Sequence, residues 1–287
     1  MKTLRMLMAA ACVAAMTMGC IQDQKILKLN RDGSGTLVEE IYMSPQLTGM
    51  MEQMTAGMAQ AMGQAGAADK AKAKAALDPL AMFKTDIEKR AAELGPGVKL
   101  VSSQAKTNDK GWKGYIVTFS FADINKLNLT MGGKNEGGGG GMESGKKKKE
   151  EPMLLEFRKS PQPAIMFRQK ATAKAAPKAT ESGAAEAMPG AEAMPAAMLA
   201  PMLQGMRINF IVEVDGKITR TNSHYKQGDN RIVLMDMQMD KVLASPEGAK
   251  LIGGGQDDPA LLNKIRDLKI PGLAIEDMER GIAIEWQ

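Results

Sequence analysis

Apolar and polar residues alternate in two short stretches close to the start of the chain. The first stretch is Lys25–Asn30 and the second is Thr36–Met43, and turn residues occupy positions 32–35 between them. A period of two places successive side chains on opposite faces of a strand, so Ile26 and Leu27 would face opposite sides. The pattern therefore predicts a β-hairpin.

A second pair of strands is predicted at Val98–Lys106 and Trp112–Phe121, on either side of a polar turn at 108–111. In the later strand, every second residue is aromatic or apolar. These residues are Tyr115, Val117, Phe119 and Phe121. They share one face of the strand, and we assign that face to the core.

Further strands are predicted from shorter apolar runs that are bounded by turn residues. Two short strands lie around a pair of prolines, three strands form a predicted meander, and one strand closes the chain. These segments are Met153–Arg158 and Ile165–Gln169, then Arg207–Val214, Lys217–Ser223 and Arg231–Met239, and finally Gly281–Trp286.

Helix signals are concentrated after the first hairpin. Ser44 is a favourable N-cap and the next residue is a proline suited to the first turn. The sequence is then rich in Met, Gln and Ala to about Ala65, and a second stretch, rich in Ala and Lys, runs to Ala76. Asp78 starts a second predicted helix, which ends before Gly95. Asp258 starts a short third helix.

The predicted fold class is α+β. It is a mostly antiparallel β-sheet with a Met/Ala-rich helical insertion after the first hairpin and long low-complexity loops. Residues 20–130 would hold both hairpins and the insertion, and residues 152–170 two short strands. Residues 204–287 would hold the meander, a short helix and the last strand.

Two segments are predicted to be disordered loops inside this domain. Residues 131–151 are rich in Gly and Lys, and residues 171–203 are rich in Ala, Pro and Met. Sequences of this composition bury too little apolar surface to offset the entropy of ordering the chain.

The first residues have the layout of a secretory signal. Lys2 and Arg5 precede the apolar run Met6–Met18, and Gly19 and Cys20 follow it. We interpret residues 1–19 as a signal peptide. The end of the run resembles the lipobox of bacterial lipoproteins, which implies cleavage before Cys20 and acylation of its thiol, usually including palmitate. An ordinary signal peptide cut nearby and an uncleaved anchor are the alternatives, although the run is shorter than the roughly 20 residues that span a bilayer.

Net charge and cysteine content further restrict the partners and the disulfides that we expect. The net charge of the chain is +5, and loss of Lys2 and Arg5 with the signal peptide leaves +3. The basic residues are scattered apart from the run Lys146–Lys149, which two glutamates follow and which we interpret as part of a solvated linker, so we expect no nucleic-acid partner. The other cysteine, Cys12, lies inside the signal peptide, so an acylated mature chain would have no disulfide.

Several short motifs occur in an order similar to that of LppM-like bacterial lipoproteins. They are Cys20, the turn at 32–35, the strand around Trp112–Tyr115, and the late runs Asp215–Ile218 and Thr221-Asn222. In that family the late run usually has proline where this chain has Asp215. The resemblance implies a membrane-tethered, β-rich envelope domain that is sometimes suspected of lipid contact. It brings no catalytic residues.

Candidate chemistry outside the lipid anchor is sparse. Asn30, Asp32, Gly33 and Glu39 match four positions of a calcium loop, but Lys28 stands where that loop needs an acid, so we favour a plain hairpin turn. His224 is the sole histidine of the chain. We expect it to be a hydrogen-bonded surface residue rather than part of a triad or a zinc site. We therefore expect no catalytic residues, no metal and no cofactor.

Methionine is unusually frequent, with 25 in 287 residues. Met50, Met54, Met58 and Met62 recur every fourth residue and would form a stripe on one helix face. Three interpretations stay open: packing against the sheet, which we favour, a pliable surface for lipid or a partner, and thioether binding of Cu(I).

From the sequence, we expect a non-catalytic, lipid-anchored cell-envelope protein that acts as an interaction or structural module. Its partners would be the membrane, through the anchor, and an envelope protein or lipid. The alternative is an envelope carrier that binds lipid or Cu(I) through the Met-rich helix. Ile21 stands where an aspartate retains some lipoproteins in the inner membrane, which slightly favours the outer membrane.

Overall fold

A computed structural model of the protein describes residues 21–49, 53, 87, 89–130, 152–169, 203, 205–248 and 269–287. Within these ranges the chain forms two β-sheets. The strands are β1 (Ile21–Leu29), β2 (Gly35–Met43), β3 (Lys99–Thr107), β4 (Lys113–Phe121), β5 (Leu154–Arg158), β6 (Ala164–Arg168), β7 (Arg207–Val214), β8 (Ile218–Thr221), β9 (Lys226–Gln227), β10 (Arg231–Gln238), β11 (Leu273–Ile275) and β12 (Ile282–Trp286).

The large sheet has the strand order β11-β10-β7-β1-β2-β4-β3, and the short β9 pairs with β10 at its side. Every pairing in it is antiparallel except that of β1 with β7, which is parallel. The small sheet has the order β5-β6-β12-β8 and is antiparallel throughout. The chain passes from the large sheet to the small one through Asp215 and Gly216, between β7 and β8.

Both sheets contribute to one cluster of buried apolar side chains. Leu27, Leu37 and Phe119 come from the large sheet, and Phe167 and Trp286 come from the small sheet. Each of these five side chains is at most 1 % exposed. Alternation along the strands explains the cluster, because one face of each sheet is apolar and the two faces cover one another.

Short helical segments accompany the sheets. They are α1 (Met239–Ala244), one 3₁₀ turn at Ile124–Lys126, and short runs of helical residues at 45–49, 89–93 and 246–248. The predicted N-cap is confirmed, since the backbone N–H of Leu47 donates to Oγ of Ser44 at 3.2 Å. The predicted stop is confirmed as well, because Gly95 has a φ of +127° after the helical residues.

The predicted α+β class is wrong. In the described part of the chain, 49 % of residues are in strands and 16 % are helical, with short helices and no substantial helical insertion. The helix prediction rested on the high helix propensity of Ala, Met and Gln. A single sheet would need helices to cover its apolar face, but here a second sheet supplies that cover. The domain is therefore mostly β.

The predicted strands have a mixed outcome. The two hairpins are confirmed as β1–β2 and β3–β4. Val117, Phe119 and Phe121 are core residues, whereas Tyr115 is half-buried and lies outside the cluster. The predicted meander is wrong, because β8 leaves β7 and pairs with β12 in the other sheet. Asp215 and Gly216 make this change possible, since Gly216 has a φ of +136°.

Candidate functional site

A polar cleft opens on the face of the large sheet that points away from the core. It crosses β7, β1 and β2 close to the ends at which β1 and β7 begin. Two cross-strand rows of side chains line it, one made of Arg207, Gln22 and Tyr42 and the other of Asn209, Gln24 and Glu40. Its volume is about 50 Å³, which is enough for a few water molecules or one small polar group.

An ion pair closes the β10 side of this cleft. Nε and Nη2 of Arg207 donate to the two carboxylate oxygens of Asp236 at 2.9 and 3.0 Å. Nε2 of Gln238 donates to the same carboxylate at 2.7 Å. Burial acts to raise the pKa of Asp236, but hydrogen bonds from Arg207, Gln238 and Asn209 outweigh it and hold that pKa below its ordinary value. Asp236 is thus a fixed anion that orients Arg207.

Tyr42 forms the opposite wall. Its hydroxyl donates to Glu40 at 3.4 Å, and burial together with the nearby Glu40 raises the pKa of the phenol. The ring lies over Gly114 of β4, where an added Cβ would come within 2.5 Å of Tyr42 Cδ1. A glycine at position 114 is therefore what allows the ring to lie flat against the sheet.

Asn209 provides the most unusual polar group of the cleft. The residue is 3 % exposed, and its Oδ1 accepts no hydrogen bond from the described residues. Buried polar atoms are usually hydrogen-bonded. This oxygen can therefore accept from a donor that enters the cleft. Amide, phenol, guanidinium and carboxylate groups together suit the hydrogen bonding of a small polar group rather than bond cleavage.

A second group of charges lies on the core-facing side of the same strands. Nη2 of Arg90 donates to Oε1 of Glu39 at 2.8 Å, and Lys25 Nζ lies 4.0 Å from Asp23 Oδ2. Burial raises the pKa of Asp23, and the charge of Lys25 partly offsets this effect. Glu93 also pairs with Arg90, at 3.9 Å, so three acids and two bases form a charge network at the end of the core, which is a structural arrangement.

Glu276 organises a loop beside the small sheet. It is 2 % exposed and accepts hydrogen bonds from the Ser223 hydroxyl and from the backbone N–H groups of His224 and Tyr225, the latter two at 2.8 and 3.1 Å. Nδ1 of His224 lies 3.5 Å from the other carboxylate oxygen. Ser223 and His224 both contact the acid, so the serine is not hydrogen-bonded to the imidazole as a triad requires.

The remaining candidates from the sequence have separate outcomes. Cys20 and the methionines at 50, 54, 58 and 62 lie outside the described residues. The calcium-like segment is a hairpin turn, in which Asp32 Oδ1 accepts from the N–H and hydroxyl of Ser34 at 2.9 and 2.7 Å. His224 is a surface residue, with a side chain that is 70 % exposed. In the described ranges no group of three or more His, Cys, Asp or Glu could hold a metal ion.

The cleft and the buried charges were not predicted from the sequence. The sequence contains a signal for the buried charges, because alternation places Lys25 on the same strand face as Leu27, and Glu39 on the same face as Leu37. The same alternation places Gln22 and Gln24 together on the opposite face. What alternation does not show is the parallel pairing of β1 with β7, which brings Asn209 and Arg207 beside them.

Comparisons with known proteins add little to this picture. No protein-family model matches the chain, and no curated protein matches it. A solved structure that it resembles weakly is the NMR structure of the folded domain of LppM from Mycobacterium tuberculosis. The TM-score is 0.30 and the identity 8 %, over 78 % of this chain and 85 % of that one. At this TM-score the likeness supports no conclusion about function. Among the described residues, no helix has both the length and the apolar character needed to span a membrane.

Proposed function

We propose that this protein is a lipid-anchored cell-envelope protein whose β-domain is a non-catalytic interaction module. The anchor would be Cys20, made the first residue of the mature chain by removal of residues 1–19. Ile21 in the following position slightly favours the outer membrane over the inner one. The polar cleft is the part of the domain that suits recognition of a partner.

The position at which the fold begins carries this proposal. β1 starts at Ile21 and pairs with β2 over all nine of its residues, from Ile21 opposite Met43 to Leu29 opposite Gly35. A cut several residues after Cys20 would remove part of this pairing, whereas a cut just before Cys20 removes none of it. The pairing of β1 with β2 is therefore compatible with the cleavage site that the Gly19-Cys20 sequence predicts.

The non-catalytic part of the proposal rests on the arrangement of Ser223, His224 and Glu276. In the described part of the chain, the hydroxyl of Ser223 and the imidazole of His224 each face a different oxygen of the Glu276 carboxylate instead of forming a nucleophile and base pair. The groups that line the cleft are likewise suited to hydrogen bonding rather than to catalysis, since its arginine, Arg207, is already paired with Asp236.

The test compares two cysteine variants in a bacterial host that processes lipoproteins. Cys20→Ser should abolish acylation, so the protein should leave the detergent phase or accumulate unprocessed. Cys12→Ser is the matched control and should behave like the unaltered protein, because it changes a signal-peptide residue away from the cut. Normal processing of Cys20→Ser, with continued partition into detergent, would overturn the proposal.

A further inference from the structure

The turn of the β3–β4 hairpin lies at the same end of the large sheet as the start of β1. Ile21 is paired with Met43, Met43 with Lys113, and Lys113 with Thr107, so one cross-strand row runs across four strands. Lys113 is two strands from Ile21, a distance of about 10 Å at the usual strand spacing. Cys20 immediately precedes Ile21, so an acyl anchor there would lie close to this turn.

Three exposed lysines are grouped around the turn. Lys106 is the second-last residue of β3, Lys110 is in the turn itself, and Lys113 begins β4. Asp109 is the acid within the same segment. The turn therefore carries a net positive charge. Arg207 and Asp236 lie nearby but neutralise one another, so they do not change it.

The turn is held in one conformation. Asn108 Oδ1 accepts hydrogen bonds from the N–H groups of Lys110 and Trp112, each at 3.0 Å, and Gly111 supplies a positive φ of +75°. Nδ2 of Asn108 donates to Gln22 of β1 at 3.3 Å, and Lys110 Nζ lies 5.8 Å from the centre of the Trp112 ring. These contacts fix the lysines relative to the strand that follows Cys20.

We propose that this basic turn, Lys106–Lys113, rests on the anionic headgroups of the membrane that holds the protein. The inference rests on the proposed anchoring at Cys20. Positive charge near a membrane surface attracts acidic lipids, and each lysine contributes about 1 kcal/mol, a factor of about five in affinity. Contact through the turn orients the large sheet with its cleft end towards the bilayer.

Vesicle binding of the unacylated mature chain tests the turn separately from the anchor. The chain from residue 20 with Cys20→Ser keeps every residue that the structure describes. It should bind vesicles of equal parts phosphatidylglycerol and phosphatidylcholine more tightly than vesicles of phosphatidylcholine alone. Added salt should remove the difference, because salt screens exposed charges.

Charge reversal of the turn should then weaken binding selectively. Lys106→Glu, Lys110→Glu and Lys113→Glu combined should lower the affinity for the anionic vesicles by at least about a hundredfold. The matched control reverses Lys28, Lys99 and Lys159, which are exposed and lie towards the opposite end of β1, about 27 Å away at the usual rise per residue. Both variants have the same net charge, and the control should lose much less affinity.

Two results would overturn the inference. One is equal binding of the unaltered chain to both kinds of vesicle. The other is an equal loss in both triple variants, which would assign the attraction to overall charge. A single Lys110→Gln change, expected to cost about fivefold, covers the case in which a triple variant fails to fold. If Cys20 proves acylated while the turn shows no selectivity, the proposed function stands and this inference fails.

Discussion

Ile21 and Lys113 lie in one cross-strand row of the large sheet, with Met43 of β2 between them. The residue that follows the proposed anchor and the first residue of β4 are therefore fixed relative to one another by backbone pairing. Since β1 begins at Ile21, the described chain offers no linker between Cys20 and the sheet. An anchor at Cys20 would hold this end of the domain at the bilayer surface.

Gly33 connects the first hairpin to the small sheet, and its replacement should be costly. It has a φ of +87°, and an added Cβ would lie 2.6 Å from the Phe157 ring. Gly33→Ala should lose about 1–2 kcal/mol from the backbone and about 1–3 kcal/mol from overpacking. The free energy of unfolding in urea measures the sum.

Gly111→Ala is the control for this change. Gly111 also has a positive φ, but an added Cβ there would meet nothing within 4 Å. It should lose the backbone contribution alone, about 1–2 kcal/mol. Equal losses in the two variants would show that Phe157 does not press on the hairpin turn.

The ion pair between Glu39 and Arg90 should stabilise the fold only as a pair. Glu39→Gln removes the closer of the two carboxylates that pair with Arg90, whose side chain is 24 % exposed, and leaves Glu93 at 3.9 Å. We expect the free energy of unfolding in urea to fall by about 3 kcal/mol, the lower end of the range for breaking a buried ion pair. The double change Glu39→Leu with Arg90→Met should recover part of it, because the guanidinium is removed together with the carboxylate of Glu39, while Glu93 loses its ion pair with Arg90. A loss under about 1 kcal/mol in the single variant would mean that the pair behaves like a surface ion pair.

Asp236 should make stability depend on pH at the acidic end. Its pKa is lower in the folded protein than its ordinary value of 3.8, so it adds stability above that pH and loses it as the pH falls through the folded value. Asp236→Asn should therefore lose about 1 kcal/mol at neutral pH and progressively less below 3.8. Urea unfolding at several pH values measures this difference.

Asp229→Asn is the matched control, since Asp229 pairs with Lys217 at 3.7 Å in an exposed position. Its effect should be small. If Asp236→Asn still has a lower free energy of unfolding than the unaltered protein at acidic pH, the loss comes from packing of the amide and not from the missing charge.

Replacement with leucine tests whether the methionine stripe serves packing or Cu(I) binding. Replacement of Met50, Met54, Met58 and Met62 with leucine keeps the volume and apolar character, so each change should cost less than about 1.5 kcal/mol. Titration with Cu(I) against a competing chelator should show equal, weak binding before and after the change. A tight stoichiometric site present in the unaltered protein alone would make the carrier function the better account.

Local pattern predicted the hairpins but not their assembly. Turn residues and a period of two were sufficient for β1–β2, because the partners are adjacent in the chain. The pairing of Ile26 with Ile211 joins strands that are far apart in sequence, and no local signal specifies such a partner. The second sheet was missed for the same reason, since β12 pairs with β6 and β8, which are far from it in sequence. Most of the predicted helical insertion lies outside the described residues.

The candidate site was hidden for a related reason. Asn209 is an ordinary polar residue in a strand until β7 pairs with β1 and places it between Gln24 and Asp236. Its burial and its unpaired oxygen are properties of the assembled sheet. By contrast, the predicted Gly19-Cys20 signal is local, because the pattern that predicts it lies in consecutive residues.

The N-terminal tryptic peptide of the mature protein tests the central claim most directly. Cleavage after Lys25 would release Cys20–Lys25 from a chain that begins at Cys20. Mass spectrometry of protein isolated from membranes should find this peptide with a diacylglyceryl group on the thiol, and no peptide from residues 1–19. An unmodified Cys20, or a mature chain that begins at another residue, would contradict the account.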